Sequence, residues 1–138
     1  MNFSMPNLAL EHPNVLRYRR MIAAFNANDL SGVRELLSPD FVYTMPGISP
    51  LAGRTEGIRA HLAVLRLARE TSGGTLHFEP RTLLADDECL FVLGRIRAER
   101  GERKLDSDHC VVFRFHEGKM IEGRTVPVDL YEFDAFWC

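Results

Sequence analysis

Two imidazoles, His109 and His61, are the side chains best suited to move a proton near neutral pH, because histidine alone titrates there without help from its surroundings. His109 lies in the stretch Arg103-Lys-Leu-Asp-Ser-Asp-His-Cys-Val-Val-Phe113, and His61 in Ile58-Arg-Ala-His-Leu-Ala-Val-Leu65. A neutral imidazole facing a pocket can take a proton from an organic substrate or return one. The plainer alternative is a core histidine bonded to backbone for His109, and a partly buried helix histidine near a rim for His61. The hydroxyls of Thr44, Ser107 and Thr125 can orient a carbonyl or hydroxyl group, and the phenols of Tyr18 and Tyr43 can donate to one. The most conspicuous charges, Arg95, Arg97, Glu99, Asp106 and Asp108, fall together in the second half of the chain. Cys89, Cys110 and Cys138 are an odd number without metal-ligand spacing, and two histidines without a placed carboxylate are too few for zinc. The expectation is free thiols in a reducing cytoplasm, no metal and no cofactor.

What positions these groups is a hairpin running from Phe91 to Phe113. Gly101-Glu102 suits a two-residue turn with Gly at the first central position, where φ must be positive. That turn sets Arg100 opposite Arg103, Glu99 opposite Lys104, Arg97 opposite Asp106 and Arg95 opposite Asp108. The last three pairs join opposite charges on one face, since side chains alternate along a strand. The other face carries Leu90, Val92, Gly94, Ile96 and Ala98 against Phe113, Val111, His109, Ser107 and Leu105. A slip of one residue would turn the apolar set outward. The hairpin charges therefore belong to the outer face, and His109 lies on the inner one with Gly94 leaving space in front of it. Phe91, Leu93, Cys110 and Val112 continue the outer ladder as an apolar band, with Glu122 and Arg124 extending it. A convex face of this kind predicts a homodimer interface.

The rest of the chain supplies one domain. Its 138 residues are 46 % hydrophobic and 26 % charged with a net charge of −2, an ordinary globular composition. Nothing in that balance points to nucleic acid or an acidic membrane surface. The start lacks the basic region and apolar core of a signal peptide, and no run of 18 apolar residues marks a membrane helix. Residues 1–12 are expected to form a flexible arm, with Phe3, Leu8 and Leu10 able to pack on a neighbour, and residues 13–138 the domain. Val15, Tyr18, Met21, Ile22 and Phe25 give a helix from Pro13. Asp29 caps a second short helix reaching Leu37. Ser38-Pro-Asp40 reads as a turn and Phe41 to Thr44 as a short strand. A third helix opens at Thr55 or Glu56 and runs to Glu70, with Ile58, His61, Leu62, Leu65 and Ala68 on its apolar face. Four strands follow, at about 75–85, 88–100, 103–115 and 119–127. The last turn is expected to place Gly118 as a bulge after a type I turn, which sends Ile121, Gly123, Thr125 and Pro127 inward. A short aromatic helix from Asp129 to Trp137 closes an open end of the sheet. Helices followed by an antiparallel sheet make the class α+β.

Several stretches resemble one superfamily. They are Ala24-Phe-Asn-Ala-Asn-Asp29, Phe41-Val-Tyr-Thr-Met-Pro-Gly47 with Pro50-Leu-Ala-Gly53, Val112-Phe-Arg-Phe-His-Glu-Gly-Lys119 and Asp129-Leu-Tyr-Glu-Phe-Asp-Ala-Phe-Trp137. In this order, and over nearly everything after residue 13, they resemble the nuclear transport factor 2-like superfamily, in its SnoaL-like and ketosteroid-isomerase-like branch. The resemblance implies a cone-shaped α+β barrel with a deep apolar pocket, often dimeric through the outer sheet face. Members include isomerases, polyketide cyclases, epoxide hydrolases, dehydratases and proteins that only bind.

Fold alone does not choose among these. The carboxylate base of ketosteroid isomerases falls on Thr44, their tyrosine on Met21 and their second acid on Val111, none of which can do that chemistry. The helper positions of limonene-type epoxide hydrolases fall on Val42 and Thr44, one Asp falls on Thr125, and the remaining Arg and Asp fall near Arg95 and Arg97 without a matching Asp. The pocket face holds no aspartate of the SnoaL-like cyclase kind. What remains is a protein expected to bind a small, mostly apolar organic molecule. Any catalysis would be cofactor-free isomerisation, cyclisation or dehydration, with His109 as general acid/base, His61 assisting, and Thr44, Tyr18, Tyr43, Ser107, Val111 and Thr125 around the ligand. The alternative is a non-catalytic binding or accessory protein of the same fold.

Overall fold

The computed structural model describes residues 11–138, so the expected packing of Phe3, Leu8 and Leu10 lies outside the described residues. The end of the expected arm is held. Arg19 grips Glu11 with two hydrogen bonds of 2.8 and 2.7 Å. His12 caps the first helix through Nδ1, which accepts from the Asn14 amide at 3.0 Å.

Helix α1 (Pro13–Asn26) starts on a proline and buries Val15, Tyr18, Met21 and Ile22 on one face, the stripe that period 3.6 predicts. Asp29 caps α2 (Leu30–Arg34). That helix stops short of Leu37, where strand β1 (Leu37–Met45) begins and runs through the expected Ser38-Pro39-Asp40 turn. A register irregularity between Leu37 and Val42 accommodates the proline, since proline cannot donate to a regular ladder. Residues Thr55 and Glu56, expected to open a helix, instead belong to β2 (Gly53–Glu56). The chain then turns at Gly57, φ +91°, into α3 (Ile58–Thr71).

The remaining elements are β3 (His77–Ala85), β4 (Cys89–Arg100), β5 (Arg103–His116), β6 (Lys119–Pro127) and α4 (Leu130–Trp137). Among the described residues six strands form one sheet in the order β2-β1-β6-β5-β4-β3. All pairs are antiparallel except β1 with β6, which run parallel. The class is α+β, as expected, but the sheet is mixed and six-stranded rather than antiparallel and four-stranded.

The hairpin register is the expected one at every position: Arg100 opposite Arg103, Arg97 opposite Asp106, Arg95 opposite Asp108 and Gly94 opposite His109. Strand twist adds one diagonal charge contact, Arg95 to Asp106, to the two direct ones. Arg95 reaches Asp106 at 2.7 Å and Asp108 at 3.2 Å, while Arg97 shares Asp106 at 3.3 Å. The last turn departs from expectation. Glu117 and Gly118 both have positive φ, +49° and +80°, between the pair His116 and Lys119, which is a two-residue turn with both central residues left-handed. The bulge lies farther on, where Arg114 pairs Glu122 but Phe115 pairs Met120. Ile121 is the extra residue, so Met120 rather than Ile121 is fully buried.

Gly94 does not leave space before His109. A Cβ there would stand 2.2 Å from the Glu79 carbonyl oxygen and 2.7 Å from Phe78 Cζ. The β3 strand crosses there with its own register irregularity between Pro80 and Thr82. Replacing Gly94 with Ala is therefore expected to destabilise the fold by about 2 kcal/mol or more, read as a lower urea midpoint with an unchanged slope.

Candidate functional site

The concave face of the sheet, α1, α3 and the closing helix α4 line a cavity of about 100 Å³. Its walls are apolar: Met21, Ile22, Leu65, Ile96, Phe113 and Phe133 are among the lining residues. Polar groups reach it from Tyr18 on α1, Tyr43 on β1, His61 on α3, His109 on β5, Thr125 on β6 and Trp137 on α4. No helix of the described residues is long and apolar enough to cross a membrane, and no cluster of three or more His, Cys, Asp or Glu among them could hold a metal ion.

Alternation along each strand decides which side chains arrive. In β1, Phe41 and Tyr43 are buried, and Gly123 opposite Tyr43 yields room to its ring, 2.7 Å from where a Cβ would stand. The Tyr43 hydroxyl is hydrogen-bonded to the Thr125 hydroxyl. Burial pushes the Tyr43 phenol up to about 12, with the Thr125 bond opposing it. Burial, reinforced by Tyr43, also raises Tyr18 well above its ordinary range. Both phenols are therefore uncharged donors at neutral pH.

His61 is 5 % exposed, with its ring 4.9 Å from Phe41 and 4.6 Å from Tyr43. His109 is 4 % exposed, stacked on Phe133 at 5.3 Å and edge-on to Phe78 at 5.7 Å. Burial pushes both imidazoles down to about 4, because their charged forms lose hydration and gain no partner. The Nδ1 atoms of both rings and Nε1 of Trp137 have no hydrogen-bond partner among the described residues. The two imidazoles share the cavity but sit in separate aromatic groups.

The structure thus brings Tyr18, Tyr43, His61, His109, Val111 and Thr125 to one cavity. Thr44 and Ser107 are corrections. Thr44 neighbours Tyr43 and so takes the opposite side of the sheet, between Arg54 and Arg124 in the register. Ser107 is on the inner face opposite Ile96 but is only half-buried and does not line the cavity. Sequence reasoning missed Trp137, Phe133 and Phe78 as cavity residues. The aromatic tail signalled closure, but nothing in its spacing shows that an indole nitrogen would be left unpaired.

The SnoaL-like domain profile matches residues 18–123. The chain belongs to the SnoaL-like family. Among solved structures, Bal32a from a soil-derived mobile gene cassette is 35 % identical to this SnoaL-like chain, with a TM-score of 0.87 over 91 % of this chain and 97 % of that one. An NTF2-like protein of unknown function from Burkholderia pseudomallei is 24 % identical, TM-score 0.83, over 92 % and 98 %. TerC, co-crystallised with polyporic acid, is 19 % identical, TM-score 0.81, over 91 % and 98 %. These last two share the fold. No protein with a curated description matches the chain.

Proposed function

We propose that this SnoaL-like chain binds a small, mostly apolar organic molecule inside the cavity and holds it with uncharged polar groups. The observation that carries this reading is an apolar cavity of about 100 Å³ lined by three side chains, His61, His109 and Trp137, each with a buried nitrogen that has no partner among the described residues. Leaving a buried polar group unsatisfied costs about 1–3 kcal/mol, so such groups make sense where a ligand completes them. A cavity of about 150 Å³ holds benzene, so the ligand is at most of the single-ring class, and side chains must move apart to admit it to the space of about 100 Å³ present. The co-crystal of TerC with polyporic acid supports an organic molecule as the kind of ligand this fold accepts.

The same geometry shapes the chemistry. An imidazole with a pKa of about 4 is uncharged at pH 7 and has no proton to give as a general acid, and it is a weak base. His109 thus serves first as a hydrogen-bonding group. Isomerisation, cyclisation or dehydration through it would require the bound ligand to raise its basicity.

Native mass spectrometry of the purified protein tests the reading. The expected result is a non-covalent adduct of low mass, lost in a variant whose cavity is filled. An adduct retained in that variant would place the molecule elsewhere.

A homodimer through the outer sheet face is the second element of the proposal. Phe91 and Leu93 are 50 % and 45 % exposed, and the register lines up Leu93, Cys110 and Val126 beside Phe91 and Val112. The adjoining ladder of Arg95, Arg97, Asp106 and Asp108 carries both signs and is self-complementary about a two-fold axis. Leu93→Lys is expected to shift the sedimentation coefficient from dimer to monomer; a wild-type protein that sediments as a monomer contradicts this part.

A further inference from the structure

We infer that Trp137 selects the ligand, and that the ligand carries an oxygen acceptor, of the carbonyl class, on a flat apolar body. The inference rests on the reading of the cavity as a ligand site. Trp137 lines that cavity, is 3 % exposed, and its Nε1 has no partner among the described residues. The imidazole nitrogens of His61 and His109 can each donate or accept according to tautomer, so they do not fix the chemistry of what meets them. An indole N–H only donates. Whatever satisfies it must present a lone pair, and an ammonium or a purely aliphatic molecule does not.

The donor is held in place before a ligand arrives. Asp129 caps α4 through the Glu132 amide at 3.1 Å. Arg100 reaches from the end of β4 to the carbonyls of Phe136 and Trp137, both at 3.1 Å. Asp134 accepts from the Ile48 amide at 3.1 Å, fastening the same helix to the loop after β1. These bonds fix the backbone that leads into Trp137 and its own carbonyl, and a preset donor avoids the ordering cost on binding. The surroundings are aromatic: Phe136 lies edge-on at 4.8 Å, Phe133 at 6.2 Å, and Phe133 in turn stacks on His109. Flat rings next to a lone donor favour an aryl carbonyl over a branched aliphatic one.

Trp137 is the one tryptophan of the chain, so its indole N–H gives a single, self-assigned NMR signal. Acetophenone and ethylbenzene, of nearly the same shape, are titrated against the full-length protein and followed by calorimetry and by that signal. Acetophenone is expected to bind at least about tenfold more tightly, consistent with one neutral hydrogen bond, and to move the indole proton downfield. Ethylbenzene should bind without that shift. In Trp137→Phe the preference should vanish while ethylbenzene still binds. If that variant does not fold, the wild-type indole signal decides alone. Equal affinities with an unmoved indole proton overturn the inference and leave the cavity reading intact. Failure of both probes to bind overturns the cavity reading itself.

Discussion

Acidifying the protein from pH 7 to pH 4 is expected to remove several kcal/mol of stability, with most of the loss in a window set by two histidines. The folded-state pKa of His61 and of His109 is about 4, against about 6.5 for an exposed imidazole. Well above pH 6.5 both states leave these rings neutral and pH has no effect through them. Between 6.5 and 4 the unfolded chain binds protons that the folded chain declines, so stability falls as pH falls. At about 1.4 kcal/mol per pH unit for each ring, the pair approaches a loss of about 6 kcal/mol, within the range of a small domain's whole stability of about 5–15 kcal/mol. Carboxylates held low by partners, such as Asp29 by Ser31 and Asp86 by the Cys89 amide, lose their contribution at more acid pH and do not fill the same window. Urea denaturation at steps from pH 7.5 to 4.5 measures the curve. In the double variant His61→Leu/His109→Leu it should flatten between 6.5 and 4.5, and an unchanged slope would sink the assignment.

Filling the cavity is expected to abolish ligand binding without harming the fold. Val111 lines the space from the middle of β5, opposite Val92 and Thr125. Val111→Phe adds apolar volume where about 100 Å³ stands empty, so it replaces missing contacts rather than overpacking. Thermal denaturation should show a melting temperature equal to or above that of wild type, while the affinity for ethylbenzene falls at least about 100-fold, or about 2.7 kcal/mol. Such a split is the usual relation between stability and a functional cavity. A variant that binds as well as wild type would show that the ligand lies outside.

The hairpin was legible because three independent signals agree there: the Gly101 turn, the charge pairs and the apolar alternation. Such agreement leaves a single register. Helix α1 was legible from its opening proline, Pro13, and the apolar spacing behind it, and α4 from its aromatic run. Strand β2 was not, since four residues with a mostly exposed pattern carry no alternation. The inward turn of Met120 depends on a bulge at Ile121 that no residue type marks. Thr44 was assigned inward from the position of a family base, and alternation from Tyr43 places it on the other side. His61 and His109 were identifiable as inward from strand and helix phase alone. Their depressed basicity was not, because it arises from Phe41, Phe78 and Phe133, brought in from distant parts of the chain.

The proposal that an apolar ligand sits in this cavity against two neutral imidazoles has a direct test in nitrogen-15 NMR of the histidine side chains at pH 7, before and after saturation with acetophenone. His61 and His109 are expected to show the shifts of neutral rings in the free protein. At least one of their ring-nitrogen signals should move on binding, while the exposed His116 stays put. Charged-ring shifts in the free protein, or binding that moves neither buried imidazole, would contradict it.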